Sequence, residues 1–408
     1  MANYFKNTEL AARYNISEST VRNWVKAVKA GKLQLDLAED GKRSYVAKSI
    51  SNMPIIEELV GKNRKYRNSL AAKTVTASPE LFKVYNEIQV YDIVRNLELH
   101  HEIPLQYGYF NKGAKYWDEY IKGQMQIDAP SILRETINLL ADNLGYIDQR
   151  LMSYRKVNVI DIGTGNAFPV KQLLAHLLAK DKLRRYIALD FSKEILEISK
   201  KHLVEWFGGT FPFEGYQLDI THERFSTLLA EDYLRHADDT VNLILFLGAT
   251  PINFRNIHDA FRTVCESMNI RDTLIYTDRL ELTDKPPEWI EFGIKQSKIW
   301  VTKLLRLVFD LLNVEESFYE IEVGFDTLNR QRYARTRFKI AVKVTFNFSS
   351  GPHTIAFEKG DTITLWRAWQ YTPQRLHELL QDSGFYLLHS SQTADRGYIL
   401  TIAEVQRD

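Results

Sequence analysis

The sequence predicts an α/β protein whose core is a parallel sheet with helices on its faces. Apolar runs of strand length lie at 157–162, 186–189, 216–220, 241–246 and 273–277. Runs without polar alternation are typical of parallel strands that are buried on both faces. Most of these runs end near an acidic residue or a glycine, and a helical pattern follows. That alternation is the βαβ arrangement that a parallel sheet needs.

The first run leads into a tight turn that contains Gly163 and Gly165. A helical pattern begins at Phe168 and Pro169, and a proline in the first turn of a helix forfeits no hydrogen bond. Such a turn lets a ligand approach main-chain N–H groups at the sheet edge. The same spacing also occurs in turns that bind nothing, so the motif alone leaves a structural interpretation open. Because position 168 is Phe, the third glycine of the dinucleotide fingerprint is missing.

Acidic residues close the next two strands, with Asp190 after 186–189 and Asp219 within 216–220. An acid at the end of the second strand of a βαβ unit can hold both hydroxyls of a ribose. Together, these features predict a nucleotide-like cofactor site at the carboxyl edge of the sheet. The predicted cofactor-binding residues are Asp161, Gly163, Thr164, Gly165, Asp190, Phe191, Asp219, Ile220 and Gly248.

The composition is that of an ordinary soluble protein, with 408 residues, 45% hydrophobic and 26% charged. No apolar run reaches membrane-spanning length and the N-terminus is polar, so we expect a cytoplasmic protein that binds no membrane. The single cysteine, Cys265, lies in a predicted helix at 256–268 and excludes an intramolecular disulfide. The neighbours His100 and His101 would face apart on a helix, so no metal site is predicted.

The N-terminal segment is basic, since residues 1–72 contain 13 Lys and Arg against 7 Asp and Glu, whereas the whole chain has a net charge of +1. Helices are predicted at 8–14 and 18–30, with Ser17 as the cap of the second. The stretches 33–37 and 44–46 predict the two strands of a β-wing. This basic character suggests contact with a polyanion.

The pattern resembles the winged helix-turn-helix of the MerR and excisionase group. The resemblance covers about fifty residues and rests on Ser17-Glu18-Ser19-Thr20-Val21-Arg22-Asn23-Trp24 and on Gly41-Lys42-Arg43 in the wing. It implies DNA contacts from a recognition helix and from the wing. The implied groove contacts are Ser19, Thr20, Arg22, Asn23 and Lys26, and the implied phosphate contacts are Lys42 and Arg43. A domain kept for protein contacts or dimerisation is an equal alternative.

A basic helical linker and an aromatic helical region precede the sheet. Within that region the glycine-interrupted stretch 106–113 predicts a loop, which carries Tyr107 and Tyr109 and can close over the cofactor site. After the fifth strand the pattern changes to a long helix at 288–312 and a β-meander at 333–357. Because long loops are rarely structureless, this insertion predicts a second lobe.

The strand ends resemble those of the S-adenosylmethionine-dependent methyltransferases. In that class the Gly-x-Gly turn passes under the methionine part, the second-strand acid holds the ribose, and the third-strand acid meets the adenine. The stretches 245–254, 357–361 and 369–373 further resemble the histidine-specific N-alpha-methyltransferases of the ergothioneine pathway. That resemblance runs from about Pro79 to Val405 and implies S-adenosylmethionine as cofactor.

The resemblance implies a seven-stranded Rossmann-like methyltransferase sheet, an α+β substrate lobe and, before them, the winged helix-turn-helix. The helix from 372 to 380 and the strands 385–389 and 398–403 would complete the sheet. The implied division is 1–50 winged helix-turn-helix, 51–78 helical linker, 79–146 first part of the substrate lobe, 147–283 methyltransferase core, 284–370 inserted part of that lobe, and 371–408 last helix and hairpin.

The resemblance also implies substrate-binding residues. Asn253 matches the asparagine that contacts the amino-acid carboxylate, and Tyr107 and Tyr109 fall near the substrate loop. The Glu-x-Ser that reads the histidine side chain falls at Trp366 and Ala368. An aromatic ring and a methyl group there imply another substrate, a small amine or amino-acid-like molecule, with Trp366 and Trp369 as stacking surfaces.

Two other functions compete with this hypothesis. The chain would be a DNA-binding regulator if its methyltransferase fold served as a ligand sensor. It would be a nucleic-acid methyltransferase if the winged helix steered it to its substrate. Against the second alternative, the fourth strand lacks the Asn/Asp-Pro-Pro-aromatic motif of amino-directed DNA enzymes, and no catalytic cysteine follows a proline.

Overall fold

The computed structural model describes residues 4–14, 16–41, 43–49, 51–126, 131–236, 239–248, 250–280, 304, 306–326 and 328–406, without the side chains of 62–71 and 236. The chain divides into two compact units. The first unit comprises Met1–Thr74, Phe338–Lys343 and Ala356–Asp361, and the second comprises Val75–Arg337, Val344–Ile355 and Thr362–Asp408. Among the residues described, no helix combines the length and apolar character needed to cross a bilayer.

The N-terminal part of the first unit consists of helices and a hairpin. Its elements are α1 (Asn7–Tyr14), α2 (Glu18–Lys29), β1 (Leu37–Asp40), β2 (Arg43–Val46) and α3 (Asn52–Ala71). The Ser17 hydroxyl caps α2 by accepting a hydrogen bond from the Thr20 N–H at 3.2 Å. Leu10, Val21, Trp24 and Ile56 form the core with Val46.

The predicted first wing strand at 33–37 is wrong, because β1 begins at Leu37. Asp40 pairs with Arg43 in the antiparallel register, so a two-residue turn closes the hairpin. Gly41 opens that turn with a φ of +64°, a conformation that glycine adopts without a steric penalty. Leu35 belongs to the buried core instead of to the hairpin.

A short strand and several helices precede the large sheet. They are β3 (Lys73–Thr76), α4 (Leu81–Val84), α5 (Glu87–His100), a 3₁₀ turn (Leu105–Tyr109), α6 (Lys112–Gln126), α7 (Ile132–Asp142) and α8 (Leu144–Leu151). The strand β3 lies within the stretch predicted as a helical linker. With four residues, three of them exposed, this strand is too short and too polar for a sequence pattern to distinguish it from the preceding helix.

The large sheet has seven strands, and the α/β prediction is confirmed. The strands are β4 (Lys156–Ile162), β5 (Leu183–Asp190), β6 (Phe213–Gln217), β7 (Thr240–Phe246), β8 (Thr273–Arg279), β14 (Phe385–Gln392) and β15 (Tyr398–Val405). Their order is β14-β15-β8-β7-β4-β5-β6. The strands β4 to β8 are parallel, whereas β15 pairs antiparallel with β8 and with β14.

The strand order reverses at β4, which lies between β5 and β7. In open α/β sheets, ligands bind at the carboxyl ends of the strands where this reversal occurs. The crossover helices are α9 (Lys171–Ala179), α10 (Lys193–Phe207), α11 (Ser226–His236) and α12 (Ile257–Ser267), and α13 (Pro373–Asp382) precedes β14. The helix predicted from Phe168 begins only at Lys171, and residues 168–170 form a turn after Ala167, whose φ is +61°.

The inserted strands form two small sheets and not one meander. They are β9 (Tyr319–Asp326), β10 (Gln331–Phe338), β11 (Val342–Phe348), β12 (Gly351–Phe357) and β13 (Thr362–Trp369). The orders are β13-β10-β9 and β12-β11-β3. The long helix predicted at 288–312 lies mostly outside the described residues. The division of the chain into six segments stays a prediction.

Candidate active site

A cavity of about 200 Å³ lies at the carboxyl ends of β4, β5 and β7. Its floor is formed by the turns after these strands, and its other walls come from the 3₁₀ turn, α6 and α7. The residues of its wall that bear on the chemistry are Tyr109, Trp117, Gly163, Thr164, Gly165, Asn166, Asp190, Phe191, Asp219, Ile220, Gly248, Thr250 and Asn253. The cavity therefore occupies the place where the strand order reverses, as expected for a ligand site in such a sheet.

The turn after β4 brings the bare α-carbon of Gly163 against the turn after β7. The N–H of Gly163 donates to the Leu189 carbonyl at 2.8 Å. Its φ is +66°, and a Cβ added there would lie 2.7 Å from Cγ2 of Thr250. Gly165 also has a positive φ, of +54°. At Gly163 both the backbone conformation and the space around it demand glycine.

Asp161 lies beneath this turn and does not form part of the cavity wall. Its Oδ2 accepts hydrogen bonds from the Tyr186 hydroxyl and, at 3.1 Å, from the Thr164 hydroxyl. Burial raises the pKa of its carboxyl to about 7, although both hydroxyls act in the opposite direction. The prediction that Asp161 contacts a cofactor therefore does not fit the structure, in which this residue supports the turn.

Asp190, at the end of β5, does face the cavity. Its Oδ1 accepts a hydrogen bond from the Ser192 N–H at 3.0 Å. Burial raises the pKa of its carboxyl to about 6, against the effect of the N–H groups of Ser192, Gly165 and Phe191. The structure thus places a half-buried carboxylate where a ribose would need an acceptor.

Asp219 lies beyond the end of β6 (Phe213–Gln217), so the strand predicted at 216–220 is placed three residues too far along the chain. Its Oδ1 accepts hydrogen bonds from the Thr221 N–H at 3.0 Å and from the Thr221 hydroxyl at 2.5 Å. An Asp side chain that bonds the backbone two residues further on commonly forms such a turn, and here the turn follows the end of the strand. Asp219 and Ile220 nevertheless lie in the cavity wall, together with Phe191 and Gly248.

The two predicted tyrosines have different places. Tyr109 lies in the cavity wall, its carbonyl accepts from the Ser192 hydroxyl at 2.7 Å, and its ring meets Trp117 edge-on at 5.5 Å. Tyr107 is buried away from the cavity and donates to Asp92 at 2.8 Å. The prediction of a substrate contact therefore fits Tyr109 and does not fit Tyr107.

Asn253 lies in the cavity wall, but the two predicted stacking tryptophans do not. The indole N–H of Trp366 donates to Oδ1 of Asn253 at 2.9 Å, and that of Trp369 donates to the Phe254 carbonyl at 2.8 Å. Neither ring lines the cavity, so no contact in the structure supports the stacking of Trp366 and Trp369 on a substrate, which stays a prediction.

Sequence reasoning missed Trp117, Asn166 and Thr250. Asn166 donates to Asp118 at 3.0 Å, and its carbonyl lies 3.0 Å from Nδ1 of the buried His202. These contacts join the glycine turn to α6 and to α10. For Asn166 the available signal was its position directly after Gly165, whereas Trp117 was hidden among many aromatic residues that pack in helices.

The predicted DNA contacts lie in the first unit. Ser19, Arg22, Asn23 and Lys26 are exposed on α2, and Arg43 is exposed on β2, while Lys42 lies outside the described residues. Thr20 is buried, and its hydroxyl lies 2.9 Å from that of Ser17. A DNA contact therefore does not fit Thr20, whose buried side chain lies against the Ser17 cap of α2.

Comparison with known proteins identifies the family of the chain. Residues 90–405 match the model of a family described as histidine-specific methyltransferase, SAM-dependent. No curated protein sequence matches the chain significantly.

Among solved structures, the chain is similar to a S-adenosylmethionine-dependent methyltransferase from Clostridium acetobutylicum ATCC 824. The two sequences are 10% identical, the match covers 73% of this chain and 99% of that chain, and the TM-score is 0.36. The CcbJ methyltransferase from Streptomyces caelestis gives 13% identity, 72% and 98% coverage, and a TM-score of 0.32. Magnesium protoporphyrin IX methyltransferase from Synechocystis PCC 6803 with bound SAH gives 10% identity, 74% and 98% coverage, and a TM-score of 0.36. These likenesses are too distant to carry an argument, so the assignment rests on the family model.

The cavity fits the cofactor of that family. The bare α-carbon of Gly163 would let the methionine part pass close to the main chain, and Asp190 would accept hydrogen bonds from the ribose hydroxyls. Phe191 and Ile220 offer apolar surface to an adenine beside Asp219. The family model covers most of the chain, and the chain therefore belongs to the histidine-specific methyltransferase family, whose cofactor is S-adenosylmethionine.

Proposed function

We propose that the protein transfers a methyl group to the nitrogen of a small amine or amino-acid-like substrate other than free histidine. The observation that carries the proposal is the pair Trp366 and Ala368, at the positions where the resembled enzymes read the imidazole. Both side chains are buried, with exposed fractions of 6% and 1%. The indole N–H of Trp366 already bonds Asn253, and Ala368 has no polar side-chain group.

An imidazole brings one donor and one acceptor into a site. Leaving a buried polar group without a partner costs about 1–3 kcal/mol. Trp366 and Ala368 do not line the cavity and supply no carboxylate or hydroxyl to an imidazole, so the site disfavours histidine.

When bound, S-adenosylmethionine supplies the methyl group, and the chain supplies position and exclusion of water. Asp190 would hold the ribose, and Asn253 would hold the polar end of the substrate. Tyr109 and Trp117 line the cavity, and their rings would help to exclude water from it. Holding two reactants in line in this way can lower the barrier to transfer by about 7–11 kcal/mol.

Calorimetry on the full chain with S-adenosylhomocysteine present would test this specificity. Titration with tryptophan, tyrosine or a simple amine should give saturable heat in at least one case, whereas titration with histidine should give none. Saturable binding of histidine with the highest affinity of the panel would contradict the proposal.

We propose as a second function that the first unit contacts DNA. The supporting observation is that Ser19, Arg22 and Lys26 recur at helical spacing and are all exposed on α2, beside the exposed Asn23. Arg22 also pairs with Glu18 at 2.7 Å, which lowers the charge it presents. The alternative is that the first unit serves protein contacts. The two other functions considered for the whole chain, a regulator and a nucleic-acid methyltransferase, would both require DNA binding.

Fluorescence anisotropy with a mixed-sequence duplex would test the second function. Affinity should fall steeply as salt rises, because bound phosphates release counterions. Lys26→Ala should weaken binding, whereas Lys201→Ala, which removes an exposed charge in the other unit, should not. No binding at low salt would leave the protein-contact alternative.

A further inference from the structure

A cluster of polar side chains lies beside the glycine turn and is buried with it. Asp118 of α6 accepts hydrogen bonds from Nδ2 of Asn166 at 3.0 Å and from Nζ of Lys122 at 2.8 Å. Its Oδ1 also lies 3.7 Å from Nε2 of His202 on α10. Asp118, Asn166 and His202 are all buried, and of these three only Asn166 lines the cavity. Burial of polar groups is unfavourable unless they are paired, so each member of the cluster depends on the others.

His202 binds the backbone of the turn as a donor. Its Nδ1 lies 3.0 Å from the carbonyl oxygen of Asn166, which can only accept, so Nδ1 must carry a proton. The imidazole stacks on Trp206 with the ring centroids 5.4 Å apart, and it meets Phe168 edge-on at 5.4 Å. These rings fix the orientation of the imidazole, and its hydrogen bond to the turn is fixed with it.

The residue that follows Asn166 has an unfavourable backbone conformation. Ala167 has a φ of +61°, and its N–H donates to the Thr164 carbonyl at 3.0 Å, which closes a turn around Gly165 and Asn166. A residue with a Cβ stays in this left-handed region only where the surrounding contacts maintain it. His202 therefore acts on the peptide group that leads directly into the strained residue.

We propose that Asp118 and His202 are positioning residues for the cofactor. Asp118 holds the side chain of Asn166 and His202 holds its carbonyl, so the turn has its receptive conformation before any ligand binds. A preformed turn avoids the loss of affinity that ordering on binding would cause. The inference goes beyond the proposed function, because it concerns the cofactor turn whichever amine is methylated.

Calorimetry with S-adenosylhomocysteine on the full-length chain tests this role. His202→Leu removes the donor at Nδ1, so the affinity should fall about 3- to 10-fold, the usual effect of one hydrogen bond. His202→Asn carries an amide N–H in place of the Nδ1 donor and should keep most of the affinity. An affinity of His202→Leu equal to that of the wild type would overturn the role of His202.

Ala167→Gly provides a measurement that a merely structural role of His202 would not affect. Glycine adopts the left-handed conformation without a steric penalty, so the turn would no longer depend on His202 to maintain it. The double variant with His202→Leu should therefore recover most of the lost affinity, while Ala167→Gly alone should stay near the wild-type value. Additive effects of the two substitutions, without recovery, would overturn the proposal.

His176→Leu is the matched control. His176 also pairs with an acid on a neighbouring helix, since its Nε2 lies 3.0 Å from Oδ1 of Asp148 on α8. Its ring nitrogen thus bonds another helix and not the turn. This variant should bind S-adenosylhomocysteine as the wild type does, and a fall equal to that of His202→Leu would contradict the positioning role.

Asp118→Asn carries the same test through the other partner of Asn166. It keeps the shape of the side chain and removes its charge, which weakens the hydrogen bond from Asn166. The affinity should fall, and Ala167→Gly should again restore most of it. If circular dichroism shows that His202→Leu does not fold, this pair of variants decides the question, and an unchanged affinity in Asp118→Asn then overturns the proposal.

Discussion

Asp161 and Asp190 lie at the ends of adjacent strands, but only Asp190 lines the cavity. Asp161 is sealed under the glycine turn by Thr164 and Tyr186, whereas Asp190 faces the cavity. The sequence predicts acids at strand ends, because such positions follow from the apolar runs before them. It does not show which acid is covered, since that depends on Tyr186, a residue of the neighbouring strand.

Asp190 should make cofactor binding depend on pH. Its carboxyl has a pKa raised to about 6 by burial, and only the ionised form offers all its lone pairs to the ribose hydroxyls. Affinity should therefore be constant above pH 7 and fall as the pH drops through about 6, because binding must then compete with protonation. Calorimetry with S-adenosylhomocysteine between pH 5 and 8 measures the effect.

Asp190→Asn provides the control for this titration. Its affinity should be lower than that of the wild type by about 1.5–3 kcal/mol at pH 7.5, the usual value of hydrogen bonds to a charged group. The decline towards pH 5 should also disappear. A wild-type profile retained in Asp190→Asn would assign the titration to another group.

At the scale of elements, the turns after β4 and β7 meet over the carboxyl edge of the sheet. Both strands are buried along almost their whole length, with only Lys156 partly exposed, and this made them predictable as continuous apolar runs. The strands β3, β9 and β13 were not predicted. Residues of β3 are mostly exposed, so no apolar run marks that strand. The alternation of β13 is interrupted at Leu365 and Trp366, which are both buried, and a hydrophobic pattern does not indicate which strand pairs with it.

The contact between these turns predicts a strong effect of Gly163→Ala. The left-handed backbone alone costs about 1–2 kcal/mol for a residue with a Cβ. The new methyl group would also lie 2.7 Å from Cγ2 of Thr250, so one turn must move. Urea denaturation should show a lower free energy of unfolding, and cofactor affinity should fall as well.

Combining Thr250→Ala with Gly163→Ala separates the backbone strain from the collision with Thr250. It removes Cγ2 and Oγ1, so the double variant should recover the part of the loss that comes from collision while keeping the backbone strain. An additive double variant, with no recovery, would show that Gly163 and Thr250 do not press on each other in solution.

At the scale of the whole chain, the sequence predicts the large sheet and its cofactor edge better than the substrate side. The cofactor turns are local, because each follows its own strand. Asn253 and Trp366 are distant in the sequence, and their contact depends on the fold that places β13, which pairs with β10, beside the turn after β7. No periodicity in the sequence predicts such a contact, which is why Trp366 was interpreted as a stacking surface.

The central claim is methyl transfer to an amine other than histidine. The most direct measurement supplies the full-length chain with methyl-deuterated S-adenosylmethionine and an equimolar mixture of histidine, tryptophan, tyrosine and simple amines. Mass spectrometry then identifies which molecule gains the labelled methyl group, with heat-denatured protein as the blank. The account predicts the label on an amine with an apolar or aromatic side chain, and label predominantly on histidine would contradict it.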